Sequence, residues 1–170
     1  MGMSDVRRIF LAGIPASGKS HFGAWLEATH GFVHIDAEIV GGKLDQLGLH
    51  GVWDSSLTAE NCSAFVEAAQ ALGSAIVLNW GFPTRHLPFV RTLKGSGFAM
   101  WWFDGSVPKA RAEYLRLGKA ERDFDMQVAA IEIARREIDA VFAPNVVLAL
   151  SATGARMPPE AILARITNRT

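Results

Sequence analysis

The chain has 170 residues, 49% hydrophobic and 20% charged, with 17 Lys+Arg balancing 17 Asp+Glu. This length suffices for one domain that buries about 70% of the surface its unfolded form exposes, and the balanced charge excludes both an acidic disordered tail and a strongly basic nucleic-acid surface. Cys62 is the only cysteine, which excludes an internal disulfide and any cysteine-cluster metal site, and fits a reducing cytoplasm.

The apolar run after Arg7 and Arg8 ends at Ala12, too short for a signal-peptide core. No window approaches the ~20 apolar residues of a membrane span. Residues 9–12 read as a strand stopped by Gly13 and Pro15, and Phe22, Trp25 and Leu26 at helical spacing place a helix after Ser20. Gly31 ends that helix, and residues 32–35 alternate as a second strand leading to Asp36. Across 38–57, Gly41, Gly42, Gly48 and Gly51 predict a helix of about two turns and then a loose connection reaching Trp53 and Ser56. Thr58 is expected to cap a helix over 58–72, with Glu60 in its first turn and Gly73 closing it. Residues 75–78 form a buried strand ending at Asn79, 83–94 a helix, and 98–103 a second all-apolar strand ending at Asp104. Helices over 108–117 and 123–141, a strand over 146–150 and a closing helix over 158–166 complete the expectation.

Short buried strands alternating with helices predict a three-layer α/β domain. Parallel neighbours need crossovers, and the crossover helices cover both faces of the sheet. Ligands in such sheets bind beyond the carboxyl ends of the strands. Gly13, Asp36, Asn79, Asp104 and Ser151 all follow predicted strands and should gather there.

Gly13-Ile-Pro-Ala-Ser-Gly18-Lys19-Ser20 matches G-x-x-x-x-G-K-[ST], with the required strand before it and helix after it. Glycines let backbone N–H groups close around phosphate oxygens, and the helix beginning near Gly18 points its positive end at the same anion. Lys19 would neutralise phosphate charge, and the Ser20 hydroxyl would ligate Mg²⁺. The nucleotide-binding candidates are therefore Gly13, Ala16, Ser17, Gly18, Lys19, Ser20 and His21.

Residues 9–20 and 32–36 together resemble the small P-loop kinases: shikimate and gluconate kinases, polynucleotide-kinase-type domains, chloramphenicol phosphotransferase and zeta-toxin kinases. Residues 75–91, AIVLNWGFPTRHLPFVR, further resemble the third strand and following helix of small ATP-binding proteins of this group. The resemblance implies a P-loop NTPase fold with five parallel strands ordered 2-3-1-4-5. It implies one P-loop domain over 1–170, with an acceptor-side segment about 38–57 and a mobile lid about 109–125. It also implies Mg²⁺-dependent transfer of the ATP γ-phosphoryl group to a small-molecule hydroxyl.

By the same resemblance Asp36 is the candidate general base or acceptor-orienting group, and it equally suits the capping of a helix starting at Glu38. Arg85 is the candidate grip on the acceptor. Trp80, following the third strand, is a candidate wall of its pocket together with Phe82. Lys109, Arg111, Arg116, Lys119 and Arg122 stand against Glu113 and Glu121, an excess of three positive charges that suits a lid over phosphates. Arg116 and Arg122 are its catalytic candidates and Arg111 a nucleotide-binding one, although the spacing of Arg111 and Arg116 is one residue longer than the Arg-x-x-x-Arg of the resembling kinases. Thr153, in the small-residue loop after the fifth strand, is the candidate contact to adenine.

Asn79 stands where the resembling kinases usually carry an Asp for Mg²⁺, and an amide is the weaker metal ligand. That departure keeps a second reading open, a nucleotide-dependent switch or ATPase without a small-molecule acceptor. A kinase of nucleic-acid ends is disfavoured by the absence of a basic stripe. His30 and His34 fall on different predicted elements and make no metal pair. Cys62, Trp101 and Trp102 read as core.

Overall fold

The computed structural model describes residues 6–38 and 42–168. Strands β1 (Arg8–Gly13), β2 (Val33–Asp36), β3 (Ile76–Asn79), β4 (Ala99–Gly105) and β5 (Val146–Leu150) form one parallel sheet in the order β2-β3-β1-β4-β5. The α/β fold class and the strand order are those expected.

The alternation along β1 explains the three layers. Ile9 and Leu11 face one side, where they pack with Phe22 and Leu26 of α1 (Lys19–His30) and Ile162 and Ile166 of α9 (Pro159–Thr167). Phe10 and Ala12 face the other. That second core takes residues from α2 (Lys43–Gln46), α3 (His50–Thr58), α4 (Ser63–Leu72), α5 (Leu87–Gly95), α6 (Val107–Arg116), α7 (Glu121–Ile133) and α8 (Arg135–Phe142). Strand β3 is covered on both faces, so it is buried throughout and reads as an unbroken apolar run up to Asn79.

Several expected elements differ. The segment across 43–58 is helical rather than loose, because Trp53 must be buried. Its ring meets Phe65 and Trp80 edge-on, each at 4.9 Å between centroids. The expected helix over 58–72 is shorter, beginning at Ser63. Thr58 instead ends α3, its hydroxyl donating to the Asp54 carbonyl at 2.9 Å, and Glu60 turns the chain at φ 49°. Asn61 is the residue that starts the new helix, its Oδ1 accepting from Ser63 N at 2.9 Å. The helix expected over 123–141 breaks at Ala134. The break lets α7 pack on α6 while α8 packs on β4 and α5. Strand β4 runs past Phe103 to Gly105, placing Asp104 inside it. Residues 39–41 of the expected acceptor-side segment lie outside the described residues.

Gly13 closes the sheet at the site. Its φ is 149°, a Cβ there would overlap the Phe103 carbonyl, and the next residue, Ile14, donates its N–H to that oxygen at 3.1 Å. The chain thus leaves β1 pressed against β4 and turns directly into the phosphate loop.

Candidate active site

The loop between β1 and α1 carries two left-handed residues, Ala16 (φ 58°) and Gly18 (φ 99°). Gly18 is the N-cap of α1 without a side-chain cap, which leaves first-turn N–H groups free to receive an anion. Ser17 is buried, and its hydroxyl is unpartnered among the described residues. A phosphate oxygen over the loop would supply the missing partner.

Lys19 is only 4% exposed. Its Nζ donates to the Ile14 carbonyl at 3.1 Å and lies 3.4 Å from Oε1 of Glu38. Ser20 Oγ accepts from Nδ2 of Asn79 at 3.1 Å, and Asn79 Oδ1 accepts from Nε2 of His34. Asn79 is fully buried, so a His34–Asn79–Ser20 chain of hydrogen bonds ties β2 and β3 to the first turn of α1. The other ring nitrogen of His34, Nδ1, is buried and has no partner among the described residues.

Two cavities meet here. One, of about 350 Å³, runs along the phosphate loop from Ala16 to His21 and is closed by Glu113, Lys119 and Arg156. The other, of about 630 Å³, extends from Gly13 and Lys19 toward Trp80, Arg85 and helix α7. Ala16, Lys19, Glu38 and Lys119 line both.

The structure gathers Gly13, Ala16, Ser17, Gly18, Lys19, Ser20 and His21 around the loop, and Trp80 and Arg85 in the larger cavity. Asp36 departs from expectation. It is 5% exposed and lines neither cavity, because its Oδ1 is turned onto Glu38 N at 2.9 Å. The helix expected to start at Glu38 runs into residues 39–41, outside the described residues, and the next described helix, α2, begins at Lys43. The carboxylate that reaches both cavities is Glu38, two residues on. Its signal in the sequence was the Asp-x-Glu spacing, since a tight turn after a strand carries the second acid out over the sheet edge.

The expected lid arginines are held elsewhere. Arg111 pairs with Glu121 at 2.7 Å and Asp125 at 3.1 Å, and these bonds raise its pKa. Arg116 binds Glu113 through Nε at 2.8 Å and a terminal nitrogen at 2.7 Å, which lowers the Glu113 pKa. Arg122 is exposed and lines neither cavity. The cation over the loop is Arg156, whose guanidinium nitrogen lies 2.6 Å from where a Gly18 Cβ would stand and whose other nitrogen is 3.5 Å from Glu113. Thr153 is exposed and bonded to Ser151 Oγ at 2.8 Å, away from both cavities. Arg156 shares its loop and was missed because its position depends on an antiparallel bridge back to Leu150. Lys119, named in the sequence only as one of the lid's cations, lines both cavities, and Trp102 was missed as a lining residue. Trp102 is core as expected, yet it also lines the larger cavity.

For Mg²⁺, Ser20 fits. Its hydroxyl accepts one hydrogen bond and keeps a lone pair, and Mg²⁺ in nucleotide sites takes one or two protein ligands beside phosphates and water. Asn79 does not fit as a ligand, being fully buried with its Oδ1 turned onto His34 and only its Nδ2 facing Ser20. Among the described residues no group of three or more His, Cys, Asp or Glu is placed to hold a metal by itself.

No protein-family model matches the chain, and no curated protein matches it significantly. Among solved structures it is similar to a gluconokinase from Sinorhizobium meliloti 1021, at 16% identity and TM-score 0.56, covering 96% of this chain and 91% of that one. It is likewise similar to a shikimate kinase from Acinetobacter baumannii in complex with shikimate, at 14% identity and TM-score 0.58, covering 95% and 90%. The fold is that of the small P-loop kinases. Among the described residues no helix is long and apolar enough to cross a membrane.

Proposed function

We propose that this chain is an ATP-dependent small-molecule kinase of the cytoplasm. The observation that carries the reading is the meeting of a phosphate-loop cavity and a second, larger cavity at Lys19 and Glu38. One reactant on each side would bring γ-phosphate and acceptor together at those two side chains.

In this reading the loop N–H groups and Ser17 grip the phosphates, and Lys19 moves from Glu38 to the γ-phosphate oxygens. Bound at Ser20, Mg²⁺ would offset phosphate charge. Glu38, released from Lys19, accepts a hydrogen bond from the acceptor hydroxyl and takes its proton. The hydroxyl oxygen bonds to the γ-phosphorus, the bond to the β,γ-bridging oxygen breaks, and ADP leaves with that electron pair. Asp36 acts as a positioning residue, holding Glu38 by its backbone, and Arg85 and Trp80 contact the acceptor. Arg156 and Lys119 neutralise developing charge from the lid side, with Arg116 available to join them once Glu113 lets go.

Transfer of labelled γ-phosphate from Mg·ATP into a metabolite extract tests the proposal. Labelled product with wild type, lost in Lys19→Ala and Glu38→Gln, is expected. Release of free phosphate alone would overturn it in favour of an ATPase or switch, the second reading, which the amide of Asn79 favours. Zero net charge argues against an oligonucleotide acceptor.

A further inference from the structure

The larger cavity changes character along its length. Lys19 and Glu38 make part of its lining charged, whereas Trp80, Phe82, Trp102, Tyr114, Ile131 and Ile138 give it an apolar wall. These side chains come from the β3–α5 connection, from β4 and from three different helices, so the apolar wall is a product of the tertiary fold and not of one amphipathic stretch.

The wall is set before any ligand arrives. Trp80 lies edge-on to Trp53 at 4.9 Å and beside Phe82 at 5.8 Å between centroids. Phe82 stacks on Phe142 at 6.2 Å with 13° between planes, and Trp102 meets the same Phe142 edge-on at 5.4 Å. Tyr114 is held through its hydroxyl, which accepts from Nε2 of Gln127 at 3.2 Å. Rigid aromatic surfaces favour a flat apolar partner, which they remove from water without reorganising. Against the ring faces themselves a polyhydroxylated acid would lose its water without replacing those hydrogen bonds, and the cavity's polar lining, Thr84, Arg85, Lys119 and Gln127 among it, is left to the hydroxyl end of a ligand. The cations near it, Arg85 and Lys119, are exposed at the rim.

Building on the kinase reading above, we infer that the acceptor is a hydroxyl compound with an aromatic body rather than a sugar acid. Its ring sits against Trp80, Phe82 and Trp102, and its hydroxyl reaches Glu38. There the oxygen bonds to the γ-phosphorus as ADP departs, and the proton passes to the Glu38 carboxylate.

Calorimetric titration of the full chain with Mg·ADP tests this, using 3-phenylpropan-1-ol and 2-(naphthalen-2-yl)ethanol against D-gluconate and shikimate. Each compound is then incubated with Mg·ATP and searched for its phosphate ester by mass spectrometry. The aryl alcohols should bind about 10-fold or more tightly than the two acids, as burial of a ring requires. Ala130→Trp, filling the cavity from half-buried α7, should weaken aryl-alcohol binding by about the same factor while ATP still raises the melting temperature. Thr84→Trp at the half-exposed rim repeats that test from a second element. Equal or tighter binding of the acids, no binding of either aryl alcohol, or binding indifferent to both tryptophans would overturn the inference. An ester formed on gluconate or shikimate alone would also overturn it and leave the kinase reading standing. Aryl alcohols that bind in the cavity yet yield no ester would sustain an aromatic ligand for the cavity and overturn the kinase reading together with the acceptor role.

Discussion

Glu38 and Lys19 face each other at 3.4 Å across the junction of the two cavities, with Lys19 4% exposed and Glu38 27%. In the proposed reading an incoming γ-phosphate would compete with Glu38 for the lysine and free the carboxylate for the acceptor, so that nucleotide binding and exposure of the base would be linked through one ion pair.

Glu38→Gln should move affinity and turnover in opposite directions. Removing the competing charge tightens ATP binding several-fold, while loss of the base lowers phosphoryl transfer by about 10²–10⁴-fold. Calorimetry and single-turnover transfer measure the two effects. A variant that weakens ATP binding would show that the pair does not compete with phosphate.

Asn79→Asp should strengthen metal dependence. A carboxylate beside Ser20 adds the charge that the amide lacks, and the Mg²⁺ concentration giving half-maximal ATP turnover should fall by about 3- to 10-fold. Turnover against Mg²⁺ concentration decides it, an unmoved midpoint being the contrary result.

Gly23→Ala tests the packing beneath the metal side. Alanine gains about 1 kcal/mol in helix propensity over glycine. Its Cβ, however, would overlap the His34 imidazole, which is buried and held by Asn79. Overpacking of this kind costs about 1–3 kcal/mol, so the variant should be less stable in denaturant and should bind Mg·ATP more weakly through the displaced Asn79. Stabilisation would mean that the imidazole yields freely.

Arg156→Ala should raise the ATP dissociation constant by about 10-fold or more, since a hydrogen bond to a charged group is worth about 1.5–3 kcal/mol. Thr153→Ala, in the same loop, should leave it unchanged. Equal effects of the two substitutions on nucleotide titration would remove Arg156 from the site.

The phosphate loop was legible because each of its requirements is local. A strand, two glycines, a lysine and a helix start lie within one short stretch, and backbone sterics dictate the turn between them. The buried character of β3 and β4 was legible for a related reason, since strands covered on both faces leave continuous apolar runs, whereas the strand order was implied only by the resemblance to the small P-loop kinases. Asp36 against Glu38 was not legible. Both are acids in one turn, and which carboxylate reaches the cavities depends on the hydrogen bond that turns Asp36 back onto the Glu38 N–H. The lid was misread for the same kind of reason. Arg111, Arg116 and Arg122 are cations in a charged segment, and only the placement of Glu113, Glu121 and Asp125 shows that the first two are already bound. Local chemistry along the chain determined an α/β fold and the strand–loop–helix turn over 13–20 that carries the G-x-x-x-x-G-K-[ST] pattern. Long-range packing decided which cation covers the loop and assembled the aromatic wall from five distant segments, because side chains converge in space only after the sheet has brought their elements together.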